Sequence, residues 1–340
     1  MNPDRRKLLL GLPAAIAGLG RATLAAEPPP SPAELSSDTR RQPAFEDKVL
    51  FDPHTRRRIM LRLRLPANPQ PSPLIVYSPG LGSGVSNGAA WCEAWRQAGF
   101  VVATLAHPGT DDGLWDTSRR SLRANLSDAL AHSQYGLRVK DCRFAIGQCL
   151  TGLGIGSMID PLKIGIAGHS YGALTVQALA SEAGRSKGDL AIGAAIALSP
   201  GARSLATAQA LAGTHIPFFC VTGDHDNYVT FGRGPDAMRL GMPLQYRLAV
   251  YRHLPVGAKQ LLVLARADHM TFAGEPVSAT RFSRDVSSSD SANTPVWARV
   301  SSATTAFWQY YLGHVPRADR KDYLERVKAQ LDPADRLEAS

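Results

Sequence analysis

The stretch Ile164-Gly165-Ile166-Ala167-Gly168-His169-Ser170-Tyr171-Gly172-Ala173-Leu174 constrains this chain more than any other. An apolar run leads into Gly-x-Ser-x-Gly, and a run compatible with a helix follows. Such a pattern describes a strand that turns sharply into a helix and presents a serine at the tip. Gly168 and Gly172 keep side chains out of that turn. Ser170 is therefore expected to sit strained, hydroxyl exposed, with the next backbone N–H at a helix N-terminus.

Two later segments supply partners. Residues 216–222, Ile-Pro-Phe-Phe-Cys-Val-Thr, read as a fully buried strand and end in Gly223-Asp224-His225-Asp226-Asn227. Residues 260–265, Gln-Leu-Leu-Val-Leu-Ala, read as another buried strand, with Asp268 and His269 shortly after it. A serine hydroxyl is a weak nucleophile until a base takes its proton. His269 can take that proton and return it to a leaving group, while a buried carboxylate fixes the imidazole's tautomer. Asp224 and Asp226 are the candidate acids. The order Ser, Asp, His resembles that of α/β-hydrolases rather than other serine-hydrolase folds. Similar hydrolases place the acid three residues beyond the strand-end glycine, and that resemblance favours Asp226, with Asp224 the runner-up.

Acyl transfer also needs N–H donors aimed at a developing oxyanion. Residues 73–78 read as an early strand, and Pro79-Gly80-Leu81-Gly82-Ser83-Gly84 as its loop. The candidate donors are the backbone N–H groups of Leu81 and of Tyr171, the residue after the nucleophile. Asp224, His225, Asp226, Asp268 and His269 could in spacing surround a metal. No His-x-x-x-His or Glu-x-x-His helix supports that, so neither metal nor cofactor is expected.

Strands are expected at 58–65, 74–78, 100–105, 162–167, 192–198, 216–222 and 260–265. Helical patterns fall at 89–98, 136–150, 173–183 and 204–211. Near-continuous apolar strands alternating with helices predict an α/β architecture, a mostly parallel central sheet with helices on both faces. In such sheets the site lies beyond the carboxyl ends of the strands, where all the candidates fall.

Residues 1–26 place Arg5-Arg6 before a moderately apolar run and end in small residues, the layout of a twin-arginine export signal. A Pro- and Ser-rich leader is expected at 27–45, the α/β domain at 46–315 and a helical tail at 316–340. The formal net charge is +9; Arg5, Arg6, Lys7 and Arg21 against Asp4 account for +3 of it, leaving about +6 on the mature chain. No basic stripe interleaved with aromatics points to nucleic acid, and Arg56-Arg57-Arg58 reads as a solvated strand start. No segment is apolar and long enough to predict a stable membrane span. Cys142 and Cys149 lie on one predicted helix, separated by about 10.5 Å of rise, too far to bond each other. Cys92 and Cys220 complete the set, with Cys220 expected as a buried thiol.

The segments Val76–Gly82, Ala106-His107-Pro108-Gly109, Gly168–Gly172 and Asp268-His269-Met270-Thr271-Phe272 resemble bacterial α/β-hydrolases of the predicted dienelactone hydrolase group. The similarity extends to platelet-activating-factor acetylhydrolase isoform II-like and lipase- or cutinase-like serine esterases. It implies an α/β-hydrolase fold over residues 49–313, a serine mechanism and a small-molecule or lipid ester as substrate. True dienelactone hydrolases carry a cysteine where Ser170 stands, which favours ester hydrolysis here. An acyltransferase, a lactone or polyester hydrolase, and a noncatalytic binding protein are the alternatives on the same fold. Residues 108–133 and 229–257 could form a partial lid or simply pack on the sheet. Trp91 and Trp95 are expected in the core, His107 as a structural histidine, and 286–293 as an exposed loop.

Overall fold

The structure, a computed structural model, describes residues 45–67, 70–183, 190–202, 209–231, 238–257, 259–275, 290–313 and 319–340. Residues 1–26, most of the leader at 27–45 and most of the expected helix at 204–211 lie outside them. Eleven strands are described: β1 Glu46–Asp52, β2 Arg57–Arg64, β3 Ser72–Ser78, β4 Val101–Ala106, β5 Ile159–His169, β6 Ile192–Leu198, β7 Phe218–His225, β8 Tyr228–Phe231, β9 Met238–Gly241, β10 Lys259–Asp268 and β11 Arg336–Ala339. Seven α-helices accompany them: α1 Ala89–Gln97, α2 Leu122–Ala129, α3 His132–Gly147, α4 Tyr171–Glu182, α5 Leu244–His253, α6 Asp290–Leu312 and α7 Arg320–Lys328.

Nine strands form one sheet in the order β1-β2-β4-β3-β5-β6-β7-β10-β11. Its centre, β4 through β10, is parallel, and β1, β2 and β11 close the edges antiparallel. The alternation of side chains along a strand builds two apolar layers. Leu74 and Val76 of β3 join a core with α3, α4 and α5, whereas Ile75 and Tyr77 join one with α1, α6 and α7. Trp95 and Trp308 meet edge to face there, centroids 5.8 Å apart, and Trp95 Nε1 donates to Thr304 Oγ1. Trp91 and Trp95 are thus core residues.

Several expectations are corrected. β1 has no counterpart among the expected strands, because Glu46, Asp47 and Lys48 mask its alternation. The tail at 316–340 is helical only through α7; its end is β11, which pairs with β10. From Asp290 onward the expected loop at 286–293 is the start of α6. Arg57 is not a solvated strand start: it forms a two-pronged ion pair with buried Asp141 at 2.8 Å per prong and donates to Pro108 O. The expected helix at 136–150 begins earlier, at His132. All four cysteines are free and buried.

Candidate active site

β5 ends at His169 and α4 begins at Tyr171, leaving Ser170 alone in the turn at φ 55°, ψ −112°. Left-handed φ is rare and strained for a residue with a Cβ. The strain persists because the turn is jammed against β3: a Cβ on Gly172 would collide with the Ser78 carbonyl, and one on Gly168 would lie 2.6 Å from Gly172 O. Ser170 N donates to Leu198 O, which ties the turn to β6.

The three strand-end candidates converge. His269 Nε2 lies 2.8 Å from Ser170 Oγ, and its Nδ1 lies 2.9 Å from Asp226 Oδ1. Asp226 is fully buried, whereas Asp224 and His225 beside it are exposed, so the runner-up carboxylate is not the partner. Asp268 caps its own turn, accepting from Thr271 N and Oγ1 at 2.8 Å each. Among the described residues no group of three or more His, Cys, Asp or Glu could hold a metal ion.

Asp226 is held by more than its histidine. Ser199 Oγ and Thr222 Oγ1 donate to Oδ2 at 2.5 and 2.8 Å, and Arg247 Nε lies 2.8 Å from Oδ1. Burial alone would raise the carboxyl's pKa, but Arg247 and His269 outweigh it and hold the carboxyl at about 2. Arg247 Nη2 also lies 3.0 Å from His269 Nδ1. An ionised Asp226 at 2.9 Å from that nitrogen needs the proton between them. Nδ1–H therefore donates to Asp226, and the Nε2 lone pair faces the Ser170 hydroxyl. His169 lies against His269, rings 4.9 Å apart, and its Nε2 donates to the His269 carbonyl. Burial drives His169 well below the usual histidine range, so it adds no charge beside the site.

Arg247 and Ser199 were not among the sequence candidates. Arg247 comes from α5, whose polar residues look like an ordinary solvated face, and Ser199 follows β6 with no motif around it. Ser199 sits at φ 51° with its N–H on Val221 O, a second strained serine beside the first.

A cavity of 460 Å³ opens over Ser170 and His269. Leu81 and Tyr171, the candidate oxyanion donors, both line it. Leu130, Tyr135, Leu174, Val229, Leu240 and Met242 make much of the remaining wall apolar. The segments 108–133 and 229–257 both contribute to that wall, the second through the β8–β9 hairpin and α5. Trp115 Nε1 donates to Gly82 O at 2.6 Å and packs against the Leu81 loop from outside. His107 lies away from the cavity, buried between Ser78 and Asp141, as a structural histidine.

No family model matches this chain, and no curated protein does. Among solved structures it is similar to a dienelactone hydrolase from Anabaena variabilis ATCC 29413, with a TM-score of 0.52 and 14% sequence identity. The similarity covers 79% of this chain and 99% of that one. The sheet order, the strand-to-helix turn at Ser170 and this likeness define the fold: the chain is an α/β-hydrolase in architecture.

Proposed function

We propose that this protein is an exported serine hydrolase that cleaves carboxylic esters through an acyl-enzyme. The observation that carries the reading is the continuous chain Ser170 Oγ, His269, Asp226, with spacings of 2.8 and 2.9 Å, opening into an apolar cavity. Ser170 attacks the ester carbonyl while its proton moves to His269 Nε2. Asp226 stabilises the imidazolium so formed, and the N–H groups of Leu81 and Tyr171 receive the oxyanion. His269 then protonates the leaving alcohol, and water releases the acyl group by the same steps in reverse roles.

The apolar wall suits an acyl or alcohol part without charge. A lactone is an internal ester, so hydrolysis of a dienelactone, for which the structural neighbour is named, is compatible with this chemistry. No helix among the described residues is long and apolar enough to cross a membrane. Export rests on the twin-arginine pattern at Arg5-Arg6 alone.

The test is turnover of p-nitrophenyl acetate, butyrate, octanoate and palmitate by the protein and by Ser170→Ala. The expected result is activity in the first and a loss of roughly 10³-fold or more in the second, as for a removed triad nucleophile. Equal inactivity of both folded proteins, with no labelling of Ser170 by a fluorophosphonate, overturns the reading in favour of a binding protein.

A further inference from the structure

Beneath the Leu81 loop lies a second group of polar residues that the reaction above does not use. Ser78, His107 and Asp141 repeat the hydrogen-bond order of the site, with Ser78 Oγ 2.9 Å from His107 Nε2 and His107 Nδ1 2.9 Å from Asp141 Oδ2. All three are buried and none lines the cavity, so they form no second nucleophile. Burial, aided by the nearby guanidinium of Arg138, takes His107 down to about 4 and keeps it neutral. With Nδ1–H given to Asp141, Nε2 accepts the Ser78 proton. The Ser78 oxygen is then left with lone pairs only, and these face Arg138.

Arg138, on α3, is fully buried. Its Nη2 donates to Ser78 Oγ at 3.0 Å and to Pro79 O at 2.5 Å, Nη1 to Thr110 Oγ1 at 2.6 Å, and Nε to Thr175 Oγ1 at 3.2 Å. Its guanidinium also lies over the Tyr171 ring, 4.6 Å from the centroid. Burial lowers its pKa to about 10, which leaves it charged at neutral pH. Only a planar fork of five donors can reach these acceptors at once. Pro79 and Thr175 belong to segments that reach the cavity, and Thr110 braces the first of these. Pro79 leads into Leu81, Thr110 O accepts from Gly82 N at 2.8 Å, and Thr175 lies one turn along α4 from Tyr171.

We propose that Arg138 is the positioning residue of the oxyanion hole. Its guanidinium clamps the loop carrying the Leu81 N–H to the helix carrying the Tyr171 N–H, fixing the separation of the two donors. The Ser78–His107–Asp141 chain, anchored by Arg57, keeps the Ser78 lone pairs turned toward the clamp. This rests on the proposed function, because a hole needs an oxyanion to hold.

The experiment compares the full chain with Arg138→Met, Arg138→Lys and Thr175→Val. Readouts are p-nitrophenyl butyrate turnover, inhibition by an alkyl trifluoromethyl ketone, whose adduct on Ser170 carries an oxyanion, and thermal unfolding. Arg138→Met is expected to lower kcat roughly 10²-fold, the scale of losing one oxyanion donor, with KM within about twofold. The ketone's Ki should rise by a similar factor, and Arg138→Lys, which keeps a donor for Pro79 O, should recover part of both. If Arg138→Met does not fold, Thr175→Val carries the test, with an expected several-fold loss in kcat and ketone affinity. Folded variants whose kcat and Ki stay within about threefold of the parent overturn the proposal, even if their melting temperature falls, since binding of the adduct reports the transition state. A parent protein that neither turns over esters nor binds the ketone overturns the proposed function first, and the clamp with it.

Discussion

Arg247 Nε lies 2.8 Å from Asp226 Oδ1, and both side chains are withdrawn from solvent. The guanidinium also donates to the carbonyls of Ser199, Pro200 and Asn227, so one side chain from α5 ties the ends of β6 and β7 together. Asp226 is thus anchored by a cation that takes no part in proton transfer. Its Oδ1 is shared between Arg247 and His269.

Arg247→Met should accordingly leave an ionised carboxylate buried without its permanent counter-charge. Breaking a buried pair from one side costs about 3–5 kcal/mol. Chemical denaturation at pH 7 should show a loss of that size, and ester turnover should fall at least about tenfold through the displaced Asp226. Arg247→Lys should recover little, because an ammonium cannot reach the carboxylate and three carbonyls together. Parent-like stability in both variants would mean that the pair is not closed in solution.

How much of this was readable in the chain differs between residues. Ser170, Asp226 and His269 each follow an apolar run that reads as a buried strand, and the structure brings the three side chains together. The offset from Gly223 favours Asp226 over Asp224 only through resemblance to other hydrolases; what sets Asp226 apart in the structure is its burial and its contact with His269. Arg247 and Arg138 were not legible. Each is flanked by large apolar or aromatic residues, Arg138 by Leu137 and Val139 and Arg247 by Tyr246 and Leu248. An arginine in such a setting reads in sequence as a side chain whose stem packs while its charge reaches water. The edge strands escaped for another reason: β1 is half exposed and charged, and β11 is four residues long, so neither has the periodicity that buried strands show.

The cysteines offer a direct check on the packing. Burial raises Cys92 to about 11 and Cys142 and Cys149 to about 12, and Cys220 is raised as well. Thiols react as thiolates. Native protein should therefore show almost no reaction with Ellman's reagent at pH 8, and four thiols should appear in guanidinium chloride. Two or no thiols after unfolding would require a disulfide that this arrangement does not contain.

Stability should fall with acid in two windows. His107 has a folded pKa of about 4 against 6.5 when exposed, so the unfolded chain binds the proton first. Its contribution is fully present above pH 6.5 and is lost as pH drops to about 4, amounting to about 3 kcal/mol. His169 acts in the same direction. Asp226 is depressed from 3.8 to about 2, so its contribution stands above pH 3.8 and fades as pH falls through 2. Urea unfolding from pH 7 to 4 should show the first loss, and His107→Gln should flatten part of the slope. An unchanged slope in that variant would place a proton on His107 in the folded protein.

The strain at Ser170 yields the sharpest sign. In an ordinary helix or strand, glycine is less stabilising than alanine by about 0.5–1 kcal/mol, because its unfolded chain is freer. At φ 55°, ψ −112° the Cβ is the liability, with a cost of order 1–3 kcal/mol. Ser170→Ala and Ser170→Gly both lose the hydroxyl and its contact with His269, so that loss cancels between them. Ser170→Gly should therefore be the more stable of the two by about 1 kcal/mol, reversing the usual order, while both are inactive toward esters. Thermal or urea unfolding of the two proteins side by side measures the difference. If alanine proves equal or better, the turn relaxes at no cost and Ser170 is not held by the backbone. The expected order instead makes the serine's exposure at the cavity floor a property maintained against the local preference of the chain, by Gly172 seated under the Ser78 carbonyl and by Ser170 N on Leu198 O.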